Sequence, residues 1–186
     1  MSWPDPPRTW SDSELVTAAL LNAQLRDALL QAVRVLFSGN GALGCGGTSE
    51  TDAYNRTIPA NTFLQNGYWL RITAEGSFAA NGNTKAIKIY FNGTAYSTFS
   101  SAVNGGSWRI ESIIARNGTS SARMSTRRTV TDAAFTTTPF LSSNSDGSVN
   151  YASTIAFKFT LQGGATSDVI VNSFKVEVVP GDPATT

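Results

Sequence analysis

At 186 residues the chain is long enough for one domain with a real core, and 43 Ser and Thr, 16 Gly and only 15% charged residues suit β-structure with many turns better than a helical enzyme. A net charge of +1 gives no global field for nucleic acid or an anionic membrane. The absence of histidine excludes Ser-His-Asp and Cys-His catalysis and histidine metal ligands, and the single cysteine, Cys45, excludes an intrachain disulfide.

Residues 1–10, MSWPDPPRTW, carry three prolines and two tryptophans, which predicts an extended arm. Trp3 and Trp10 are too apolar to leave wet. They either fold back on the segment that follows or plug into another subunit as rigid anchors. No apolar signal-peptide core stands in this stretch, so synthesis is expected in the cytosol.

Ser11 to Glu14 match the S-x-x-E capping box, with Thr17 a second candidate N-cap, and no Gly or Pro interrupts Leu15 to Phe37. The spacing predicts an α-helix with Leu15, Ala18, Asn22, Leu25, Leu29, Ala32 and Leu36 on its packing stripe. A polar Asn22 in such a stripe can fix oligomer state. The helix packs either with its copies or across its own sheet. Polar residues from Thr17 to Arg34 interrupt the run, so membrane insertion is not expected.

Residues 39–53, GNGALGCGGTSETDA, read as a Gly-rich linker in which Cys45 is a small, unremarkable residue. A phosphate-cradling loop is rejected, because no GKT or GKS follows. From Tyr54 the period changes to two. Leu70, Ile72, Ala74 and Phe78 alternate with polar neighbours, as do Ile87, Ile89 and Phe91, then Trp108 and Ile110, then Phe157, Phe159 and Leu161, then Phe174, Val176 and Val178. Turn dipeptides lie between them at Asn66-Gly67, Asn81-Gly82, Asn92-Gly93, Gly105-Gly106, Asn117-Gly118, Asp146-Gly147 and Gly163-Gly164. Seven or eight half-buried antiparallel strands at this spacing predict a β-sandwich, with a jelly roll preferred to an immunoglobulin-like one.

Only carboxylates remain for acid–base work, and a pair such as Glu75 and Glu111 has no supporting motif, so no enzyme activity is expected. No spacing suits a metal and no cofactor is expected. Arg116, Arg123, Arg127 and Arg128 form a basic stretch without interleaved aromatics, which speaks against nucleic-acid binding. Trp69 and Tyr90 on the polar parity of their strands, and Tyr96 near a turn, are candidates for a sugar-stacking surface.

Pro7-Arg8-Thr9-Trp10, followed by Glu14, Val16-Thr17-Ala18, Leu21-Asn22 and Arg26-Asp27, resembles the N-terminal segment of many phage virion proteins. The stretches IPANTF (58–63), GYWLRITAEGSFAANGNTKAIKIYF (67–91) and NGGSWRIE (104–111) look like the β-domain that often follows it. The resemblance implies a particle component, often trimeric, of the tail, head-fibre or decoration kind. Trp3, Pro4, Pro6, Pro7, Arg8 and Trp10 would then form the anchor.

The expectations are therefore a mainly β chain, an antiparallel sandwich of jelly-roll type preceded by an extended arm and one α-helix. Residues 1–38 would be the anchoring and oligomerising unit, 39–53 the linker, 54–180 the sandwich and 181–186 a tail. The expected function is that of a structural virion protein, a homotrimer held by capsid, portal or tail proteins. The alternative is a host-attachment adhesin module that binds a surface glycan.

Overall fold

Alternating apolar and polar residues make strands that bury one face, and ten of them form in a computed structural model of the chain. The structure describes Leu21 and residues 33–134 and 137–181. The strands are β1 (Arg34–Gly46), β2 (Thr51–Ile58), β3 (Trp69–Phe78), β4 (Lys85–Phe91), β5 (Thr94–Ser101), β6 (Gly106–Arg116), β7 (Ala122–Thr131), β8 (Thr137–Asp146), β9 (Ile155–Gln162) and β10 (Thr166–Val179).

Two antiparallel sheets result, one in the order β1-β10-β3-β6-β7-β8 and one in the order β2-β9-β4-β5. The pairs β1·β10, β2·β9, β3·β6 and β4·β5 are nested, outermost strand with outermost strand. Nested pairing folded over into two sheets is jelly-roll connectivity. The β7–β8 hairpin is inserted between β6 and β9 and widens the first sheet, where β8 lies over β5.

Aromatic side chains fill the space between the sheets. Phe91, Phe157, Phe159, Phe174 and Trp108 are buried, with Tyr54 stacked on Phe174 at 4.1 Å and Trp108 on Phe159 at 6.1 Å. Each such side chain contributes roughly 1.5–3 kcal/mol by leaving water. β4 and β5 are joined by Asn92-Gly93 alone, with φ of 53° and 78°, the positive values that a tight hairpin turn requires.

Three expectations are corrected. Every element formed by the described residues is a strand, so the expected N-terminal helix is not among them, and Arg34 to Phe37, the end of the expected helical run, belong to β1. Val35, Leu36 and Phe37 are a short apolar run whose period does not separate helix from strand, and pairing with β10 decides it. Leu36 is half-buried against the core from β1 and is not part of a helical stripe, while Leu15, Ala18, Asn22, Leu25, Leu29 and Ala32 lie outside the described residues. The Gly-rich stretch is likewise not a linker, because residues 39–46 continue β1 and 51–53 begin β2. Cys45, read as an unremarkable linker residue, is a core residue 1% exposed that hydrogen-bonds the Ala165 carbonyl and accepts from the Val169 N–H.

β1 begins and β10 finishes at one end of the sandwich, because Arg34 pairs with Val178. The loops after β2, β6 and β8 share this end. At the opposite end lie the loops after β1, β3, β5, β7 and β9.

Candidate functional site

The expected anchor residues Trp3, Pro4, Pro6, Pro7, Arg8 and Trp10 lie outside the described residues. The three candidate ligand-surface aromatics are not brought together. Trp69 opens β3 on the outer face of the six-stranded sheet, where Arg71 and Lys175 both bridge to Glu177 at 2.9 Å. Tyr96 is corrected to a core residue, 4% exposed, with its ring edge-on to Phe91 at 5.9 Å. Only Tyr90 faces outward from the four-stranded sheet into a groove.

Tyr90 sits on β4 opposite Lys158 of β9 and Ala95 of β5. Its groove, about 360 Å³, is lined by Glu50, Asp52, Tyr90, Gly93, Ala156 and Lys158. Tyr90 is half-buried there, and Gly93 and Ala156 add little side chain to the lining. Two ion pairs border it. Lys88 donates to Glu50 Oε2, and Thr160 donates to Glu50 Oε1 at 2.8 Å. Lys158 meets Asp52 Oδ2 at 3.1 Å, and Asn55 donates to the same oxygen at 2.9 Å.

Glu50, Lys88 and Tyr90 shift one another by contact. Burial pushes the Glu50 carboxyl up, but hydrogen bonds from Lys88, Thr160 and Tyr90 outweigh it and hold the group below its ordinary value. The hydrogen bond to Glu50 raises Lys88. Burial, then the Glu50 carboxylate, raise the Tyr90 phenol. The two bordering ion pairs, Lys88–Glu50 and Lys158–Asp52, set two formal negative charges against two formal positive ones.

Strand parity marked Tyr90, whereas Lys158 passed as one polar neighbour in the alternation of β9, and Glu50 and Asp52 fell in the expected linker. Strand parity gave no signal for Asp52: it stands two residues before the buried Tyr54, and it faces outward because the β2–β9 register shifts between the two.

The basic stretch is not a patch. Arg123 and Arg127 point outward from β7, whereas Arg128 turns inward, donates to the Thr98 carbonyl and lies over the Phe99 ring at 5.6 Å. Arg116 clasps three loops at the end where β1 enters. It donates to the carbonyls of Phe63 and Gly118 and lies 4.6 Å from the Tyr151 ring centre. Glu75 and Glu111 do not face each other across a groove, since Arg109 stands between them at 3.9 and 2.8 Å. Among the described residues no group of three His, Cys, Asp or Glu could hold a metal ion.

No protein-family model matches the chain, and no curated protein does either.

Proposed function

We propose that this chain is a structural protein of a bacteriophage particle, a homotrimer attached through its N-terminal arm to capsid, portal or tail proteins and displaying a jelly roll. One observation carries the reading. β1, which follows in sequence the segment that resembles virion attachment sequences, begins at the same end of the sandwich where β10 finishes. An attachment made there frees the other end and both outer sheet faces.

The experiment is quantitative mass spectrometry of particles purified by density gradient. The reading predicts the chain in the particles at a constant ratio to the major capsid protein, in a copy number divisible by three. Absence from the particles contradicts the virion assignment, and a copy number not divisible by three contradicts the trimer. The adhesin reading has one specific observation in its favour, the half-buried Tyr90 ring lining a groove with its flanking polar groups.

A further inference from the structure

We propose that the Tyr90 groove binds a neutral saccharide, with the C–H face of a pyranose on the Tyr90 ring and vicinal hydroxyls on the Asp52–Lys158 pair. At about 360 Å³ the groove falls in the size range of small-molecule sites. Its one large apolar surface is an aromatic ring, which offers a flat face to a ligand that has an apolar side. None of the exposed large apolar side chains among the described residues lines it, so the geometry does not suit an apolar ligand or a protein partner.

The polar groups divide into used and available. Glu50 is taken up by Lys88, Thr160 and Tyr90. Both side-chain contacts of Asp52 fall on Oδ2, which leaves Oδ1 to accept from a ligand hydroxyl. Lys158 meets Asp52 as an ion pair and has N–H groups to donate. An acceptor and a donor about one hydrogen bond apart match two adjacent hydroxyls, one donating to the carboxylate and the other accepting from the ammonium. With each carboxylate paired to an ammonium group, the groove has no excess positive charge to attract phosphate or nucleic acid. Binding here is independent of the particle assignment, so either can fail while the other stands.

The test is an NMR titration of the 15N-labelled full chain with the methyl glycosides of glucose, galactose, mannose and N-acetylglucosamine, each to about 50 mM, which reaches weak single-site affinities. At least one gives saturable shifts at the amides of Asp52, Tyr90, Gly93 and Lys158. Tyr90→Ala weakens that sugar by about tenfold or more, and Asp52→Asn, at an exposed site, by several-fold. Tyr90→Phe keeps the ring and keeps binding within about threefold, and Trp69→Ala on the other sheet changes nothing. Should Tyr90→Ala not fold, Asp52→Asn decides alone. No saturable shift with any of the sugars, shifts that map elsewhere, or undiminished binding by Asp52→Asn or folded Tyr90→Ala overturns the proposal.

Discussion

Asp168 and Lys85 are charged side chains with 1% and 0% exposure, at the end of the sandwich opposite the entry of β1. A buried charge is tolerated only when fully hydrogen-bonded. Asp168 accepts from Asn81, Asn83 and the N–H groups of Gly164 and Ala165. Lys85 donates to the carbonyls of Asn81, Asn83 and Val103 and to the Asn81 side chain. Asn81 thus joins the two charges and, with them, the loops after β3, β5 and β9. Burial pushes the Asp168 carboxyl up, but its four hydrogen bonds outweigh that and hold it below the ordinary 3.8. A depressed carboxyl contributes stability that is complete above the ordinary value and is lost as pH falls through the lower folded one. Asp168→Asn turns amide hydrogens toward backbone donors and should cost about 3–5 kcal/mol at pH 7. It should also flatten the loss of stability below about pH 4, both read from urea unfolding at several pH values. A variant as stable as the parent at pH 7 contradicts this account of the network. Single residues were legible where strand parity held, as at Tyr90, and not where it broke. Tyr96 falls where the β4–β5 register shifts, and that extra residue turns the phenol ring into the core.

Among the elements, the turn dipeptides fall at the strand junctions because Asn-Gly and Gly-Gly permit backbone angles that strands do not. β1 was not legible. Its partner β10 lies far along the chain, and its glycines resemble those of a linker. One of them is required by packing. Gly39 pairs with Phe174, on which the Tyr54 ring stacks, and a Cβ at Gly39 would stand 2.7 Å from Cε1 of that ring. Gly39→Val should therefore destabilise the protein by about 1–3 kcal/mol and lower Tm by roughly 3–10 °C. Thermal unfolding checks this, and an unchanged Tm would mean that the stretch behaves as the linker it resembles.

For the molecule as a whole, the sandwich class could be read from period and turns, while the β7–β8 insertion could not. Its inward row of Met124, Thr126, Arg128 and Val130 mixes polar with apolar residues, and it folds as strand because β6 and β8 pair with it on either side. The jelly roll has its own core, so the account separates folding, which residues 34–179 provide, from attachment, which it assigns to the arm that precedes them. The most direct test replaces Trp3 and Trp10 together by alanine in the encoding phage, then measures Tm of the purified chain and its recovery in gradient-purified particles. The account predicts a Tm within about 2 °C of the parent, as for a change outside the core, and particles that lack the chain. Particles that carry the double variant at the parental copy number would contradict it.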